Sequence, residues 1–166
     1  MAAVFTNLSI YLAIAEEALA ESTRLLEAGR TPKPDGQPGY ILSSDPGRKS
    51  FKQSFIAIAF AGIYLEALVG LIGRARLGKA FYDEKIDRFT YEEKLKVLGV
   101  NDERDLASCK RFRETRNNLI HEKALDFEAL RPDKKIRKKE IRVAQEEASL
   151  AVDFVKSIGS KLQPAP

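Results

Sequence analysis

FIAIAFAGIYLEALVGLIG, Phe55 to Gly73, is the stretch whose reading decides the fold. Its 19 residues hold a single charged group, Glu66, and the flanks are basic at Lys52, Arg74 and Arg76. A run of that length approaches the ~20 apolar residues that span a bilayer. A carboxylate inside the span argues against a membrane, because it is costly in hydrocarbon. A helix that is apolar on all sides is buried by its neighbours. The expectation is therefore the central helix of a soluble bundle, with no membrane partner.

The segments on either side supply helices to cover it. Phe5, Leu8, Leu12, Ala15, Leu19 and Leu26 recur at helical steps and predict a first helix from about Phe5 to Ala28, stopped at Gly29. From Gly29 to Ser50 lie four of the seven Pro and four of the ten Gly, which excludes regular helix and central strand. This is a long loop of the kind that is mobile or functional. Ser50 with Gln53 has the capping-box form and opens the second helix, which runs to about Leu77. Gly78 to Arg88 reads as a connection. Thr90 and Glu93 form another capping box before a short helix, Tyr91 to Leu98, closed at Gly99.

Asn101 or Asp102 caps a helix from Glu103 to about Lys123, with Leu106, Cys109, Phe112, Leu119 and Ile120 on its apolar side. Pro132 and Asp133 open a last helix to about Ile158, with Val143, Leu150, Phe154 and Ile158 inward and Gly159 as its stop. The expected architecture is a single all-α domain over residues 1–166, a bundle of four long helices and one short one. The Pro/Gly-rich loop joins the first two helices, and a frayed tail follows from residue 160.

Composition narrows the chemistry. The chain has 166 residues, 28 Lys+Arg against 24 Asp+Glu, one His, and Cys109 as its one cysteine. One His and one Cys cannot build a His/Cys zinc site within a chain, and a lone Cys fits a reducing, cytoplasmic setting. Carboxylate binding of Mg²⁺ is not excluded by counting, but no metal or other cofactor is expected. The N-terminus lacks the basic start of a signal peptide. There is no Gly-rich phosphate loop and no Gly-X-Ser-X-Gly elbow.

The one histidine lies in Arg116-Asn117-Asn118-Leu119-Ile120-His121, near the end of an amphipathic helix. This resembles the Arg-X4–6-His motif of the HEPN superfamily, often Arg-Asn-X-X-X-His. The run from Ala57 to Leu68 looks like the second helix of those proteins, apolar with an embedded acidic residue. The resemblance implies a metal-independent endoribonuclease acting as a homodimer, in toxin–antitoxin or phage-defence systems and in some cases restrained by an antitoxin protein. It implies Arg116 and His121 as the active pair, with Asn117 as the polar residue after the arginine. Some members of the family are inactive binding or scaffold modules.

Read without the family, Arg116 and His121 lie about 140° apart on an ideal helix and do not share a face. A bend, a helix end or a second subunit is needed to bring them together. Arg116 lies beside the apolar stripe, four residues after Phe112, and needs a partner there. Glu66 is the natural candidate, and the pair reads equally as a buried structural contact. RNA carries its own nucleophile, the 2′-hydroxyl. An imidazole can take or give a proton near neutrality, and a guanidinium can hold the phosphate. One His cannot readily act as base and acid in the same step, whereas a symmetric dimer brings two.

Charge is uneven along the chain. Residues 104–142 hold 13 Lys/Arg against 7 Asp/Glu, a net +6, which leaves −2 for the remainder. Arg111, Arg113 and Lys123 flank the motif, and Lys134, Lys135, Arg137 and Lys138 crowd the start of the last helix, where the macrodipole disfavours cations. These are candidate RNA contacts, or equally a solvated basic face. No aromatic residues interleave the densest basic run, Arg131 to Arg142, so base stacking is not expected from it. The competing expectations are a non-catalytic helical module that binds RNA or protein, and a purely structural bundle.

Overall fold

The computed structural model describes residues 7–42, 45–120 and 134–162, with only the helical backbone given for 134–142. The chain is all-α in class, with one small strand pair. Helix α1 spans Leu8–Ala28, α2 Lys49–Leu77, α3 Lys79–Phe81, α4 Tyr91–Val97, α5 Glu103–Ile120 and α6 Lys134–Leu162. Phe5, offered as the first helical residue, lies outside the described residues, as do Pro132 and Asp133.

Helix α2 is central, and α1, α4, α5 and α6 all pack on it. Ala57, Ile58, Ala61, Leu65, Leu68 and Val69 are its buried apolar positions. By length and composition α2 could cross a membrane, and half of its most apolar window is buried against the rest of the chain. Helix α1 meets it through Ala15, Ala18 and Ser22. The buried Ser22 hydroxyl donates to the Ser50 carbonyl at 3.0 Å and shares a 2.7 Å hydrogen bond with Ser54, so polar burial there is satisfied.

The start of α2 differs from the expected Ser50 box. Arg48 occupies the position before the helix, with a left-handed φ of 53°. The Asp45 carboxylate accepts from the backbone N–H of Lys49 (2.8 Å), Ser50 (3.0 Å) and Phe51 (3.3 Å), and from the Ser50 hydroxyl (2.6 Å). An anion satisfies several orphan donors and complements the helix dipole, which a serine hydroxyl cannot match. Asp45→Ala should therefore lower the unfolding free energy by about 1–2 kcal/mol in chemical denaturation. An unchanged denaturation midpoint would show that this end of α2 is held by something else.

The Pro/Gly segment is not wholly irregular. Strand β1 (Arg30–Pro32) pairs antiparallel with β2 (Tyr40–Leu42), Thr31 opposite Ile41. No strand was expected, because three residues with Pro32 among them carry no alternation to read. A two-stranded ribbon is all edge, which is where proline is tolerated. The expected connection after Gly78 is also helical: α3 runs into a π turn, Tyr82–Ile86, that buries Tyr82 and Ile86.

The Thr90 box is present as read: the Thr90 hydroxyl accepts from Glu93 N–H, and the Glu93 carboxylate accepts from Thr90 N–H at 2.8 Å. Asp102 caps α5 through Arg104 N–H at 2.8 Å. On α6 the buried stripe is Ala144, Ala148, Ala151, Val155, Ile158 and Leu162. Phe154 and Ile158 face inward as expected, but Val143 and Leu150 are 42% and 45% exposed. The buried line mixes small and large residues, with Ala148, Val155 and Ile158 wholly enclosed, and it passes Val143 and Leu150 by. Gly159 does not end the helix: it is buried mid-helix under the Tyr64 hydroxyl, and α6 continues to Leu162. Ser160 to Leu162 are therefore helix rather than tail. Arg76 of α2 donates to the carbonyls of Leu98 (3.1 Å) and Leu162 (2.7 Å), tying the ends of two segments to the core helix.

Candidate functional site

Arg116 stands one turn from the described end of α5, and its stem lies flat on α2 at Gly62. A Cβ at position 62 would sit 2.5 Å from Arg116 Nε and 2.7 Å from its Cδ, so only glycine leaves room for this side chain. The guanidinium Nη1 donates to the Tyr91 hydroxyl at 3.0 Å. That hydroxyl donates to Glu66 Oε2 at 3.4 Å, and Arg116 Nη2 lies 3.8 Å from the same oxygen. Three helices, α2, α4 and α5, thus converge on one cation. Arg116 Nε is buried and has no acceptor among the described residues.

Arg116 and Glu66 do meet, but not as a buried ion pair. The Glu66 side chain is 63% exposed and that of Arg116 23%. An ion pair this open contributes little to stability. What fixes Arg116 is the neutral Tyr91 hydroxyl and the bare backbone of Gly62. Neither residue was anticipated from the sequence. Tyr91 is 25 residues from both partners. Gly62 carried a readable signal: glycine inside the best apolar helix costs about 1 kcal/mol against alanine and marks a close approach.

Burial pushes the Tyr91 phenol up to about 12 from an ordinary 10, with the Glu66 carboxylate adding to the rise and the Arg116 guanidinium opposing it. A folded value above the unfolded one means that this contribution to stability is present below pH 10. It is lost as pH rises through 12. Burial also raises Tyr64 and Tyr82, so ultraviolet titration should show more than one late phenol, with the component near pH 12 lost in Tyr91→Phe. Ionisation of all five tyrosines at the ordinary value would contradict the packing at α4.

The flanking arginines are engaged elsewhere. Arg113 pairs with Glu92 of α4 through Nε (3.1 Å) and Nη2 (3.0 Å). Arg111 pairs with Glu147 of α6, whose carboxylate also accepts from the Thr115 hydroxyl at 3.1 Å. The Arg111 hydrogen bond holds the Glu147 carboxyl below the usual range. These pairs bracket α5 between α4 and α6, so both arginines already hold a carboxylate, Arg113 the more closed of the two and Arg111 the more open. Asn117 is exposed on α5. His121 and Lys123 lie outside the described residues. Lys134, Lys135, Arg137 and Lys138 belong to the first turns of α6, and their side chains lie outside the description too.

Beside the Arg111–Glu147 pair, a shallow cleft of about 210 Å³ runs between α5 and α6 over Phe112, Leu150 and Phe154. Cys109 is buried, and desolvation pushes its thiol up to about 12, which makes it a core residue rather than a nucleophile. No cluster of His, Cys, Asp and Glu among the described residues could hold a metal ion. In comparisons with protein families, curated proteins and solved structures, nothing matches the chain.

Proposed function

We propose that this chain is a metal-independent endoribonuclease of HEPN type, working as a homodimer with Arg116 and His121 as its reacting pair. In this reading α1, α2, α5 and α6 are the four long helices of a HEPN-like bundle, α4 is the short one, and the segment from Gly29 to Ser50 is a loop between the first two. The observation that carries it is the placement of Arg116: a guanidinium anchored by Tyr91 and Gly62, partly open to solvent, five residues before the chain's one histidine.

The chemistry needs no metal. An imidazole of His121 takes the proton of the RNA 2′-hydroxyl, and the 2′-oxygen attacks the adjacent phosphorus. The bond from phosphorus to the 5′-oxygen breaks. The imidazolium of the second subunit gives that oxygen its proton. Arg116 Nη2, already beside an exposed carboxylate oxygen, is suited to a phosphate oxygen and to the charge that grows on it. The product is a 2′,3′-cyclic phosphate, and DNA, without the 2′-hydroxyl, is not cut. Asn117 and Glu66 support the pair, and the basic start of α6 with Lys123 holds the RNA backbone. A cytoplasmic toxin or phage-defence role, with an antitoxin as partner, belongs to the same proposal.

A second reading is a non-catalytic helical module that binds RNA or protein. The engagement of Arg111 and Arg113 with Glu147 and Glu92 leaves fewer cations beside the motif for RNA, which favours the protein-binding form of this reading. One experiment separates the two. Purified chain is incubated with RNA and with DNA of the same sequence in excess EDTA. Cleavage of RNA alone, with 2′,3′-cyclic phosphate ends, is expected. Cleavage that EDTA stops, or salt-sensitive RNA binding with no cleavage at all, removes the nuclease reading.

A further inference from the structure

The outward side of α2 carries Lys52, Phe55, Ala59, Ile63 and Glu66, spaced three, four, four and three residues apart, which places them along one stripe of the helix. The stripe is about 21 Å long. It is unusual for the most apolar helix of the chain to leave Phe55 37% and Ile63 38% exposed. Lys52 and Glu66, also exposed, close its two ends with opposite charges. The pattern is symmetric about Ala59. Four residues to either side stands a large apolar residue, and seven residues to either side stands a charge, positive on one side and negative on the other.

We propose that this stripe is where two copies of the chain meet, their α2 helices crossing antiparallel at Ala59. A two-fold axis through that point sets Phe55 against the partner's Ile63 and Lys52 against the partner's Glu66, each contact made twice. A parallel pairing would oppose like charges at both ends. Alanine at the crossing lets the helices approach closely, and the 3-4-4-3 spacing is that of helices packed at a shallow angle.

The two-fold has a consequence for the candidate site. Gly62, the seat of Arg116, lies three residues beyond Ala59 and about 60° to one side of the stripe. Rotation about the axis carries that side onto the same side of the partner. Both Arg116 side chains then open on one face of the dimer, with their Gly62 seats about 9 Å apart along the helices. This deepens the proposed function by giving a surface to the second copy that it requires, and it rests on that reading only for the expectation of two copies.

The test reads assembly on the full-length chain. Sedimentation should show a dimer. Lys52→Glu and Glu66→Lys should each weaken it at least tenfold, because each turns two attractions into repulsions, and the double variant K52E/E66K should restore it. Ala59→Cys should cross-link under mild oxidation: facing Cα atoms of helices 8–10 Å apart lie about 3.5–5.5 Å from each other, within disulfide reach. Ala20→Cys, exposed on α1, should not cross-link, and buried Cys109 stays silent. Circular dichroism checks that Lys52→Glu, a solvent-facing change, stays folded. A monomeric wild type overturns the proposal. So does a dimer that ignores the charge variants or leaves Ala59→Cys unlinked. A dimer that cross-links through residue 59 yet cuts no RNA removes the nuclease reading and keeps the interface. An RNA-cleaving chain whose residue 59 does not cross-link does the reverse.

Discussion

Arg116→Ala and His121→Ala should each reduce the proposed RNA cleavage by roughly a hundredfold to a thousandfold, the loss that follows removal of a group aimed at transition-state charge or of an essential proton carrier. The fold should survive Arg116→Ala. Its Glu66 contact spans 3.8 Å to a carboxylate that is 63% exposed, and its one hydrogen bond among the described side chains goes to a neutral hydroxyl. Losses of that kind amount to about 1 kcal/mol or less. Cleavage assays beside thermal melts decide the matter. A collapse of the melting temperature with no RNA cut by the wild type would make Arg116 a structural strut. Full cleavage in either variant would remove both residues from the site.

Gly62→Ala is the second large effect, and it tests position rather than presence. In a helix interior, glycine to alanine is ordinarily favourable by about 1 kcal/mol. Here the new Cβ would fall 2.5 Å from Arg116 Nε, in the middle of the stem and not at its flexible end. The stem must lift off α2, and the hydrogen bond to Tyr91 goes with it. A displacement of about 1 Å at a reacting group costs on the order of a hundredfold in rate. Cleavage by Gly62→Ala should fall that far while circular dichroism remains that of the wild type. Gly70→Ala is the comparison: its Cβ would meet only the tip of Arg74, and cleavage should be unaffected. Equal activity in all three proteins would mean that the guanidinium works from more than one position.

The helices were legible because their signals are local. The Thr90–Glu93 box and the Asp102 cap lie within three residues of what they bind, and the span of α2 follows from its own composition. What escaped depends on partners distant in the chain. Tyr91 reaches Arg116 from another helix, and Glu92 and Glu147 claim Arg113 and Arg111 across 21 and 36 residues. No spacing rule announces such pairs, so the two arginines read as open cations. The N-terminal end of α2 was misread for a related reason: Ser50 has the pattern of a box, but Asp45, five residues earlier, accepts from the Lys49, Ser50 and Phe51 N–H groups and so starts the helix ahead of Ser50. Val143 and Leu150 look inward by hydrophobicity alone, yet the buried line of α6 runs at helical steps through Ala144, Ala148, Ala151, Val155 and Ile158 and leaves them outside it.

Gly62, Gly73 and Gly159 each seat a side chain from another segment, Arg116, Tyr82 and Tyr64 in turn. Their consequence reaches the order in which the chain folds. Together with Gly70, they put three glycines into α2 and one into α6, each lowering the intrinsic tendency to coil into a helix by about 1 kcal/mol. An isolated α2 segment therefore nucleates poorly, however apolar it is. It becomes helical only as its neighbours arrive to fill the notches. Secondary structure and docking are then one event in this protein, and a peptide copy of α2 would make a poor stand-in for the helix it forms in the whole chain.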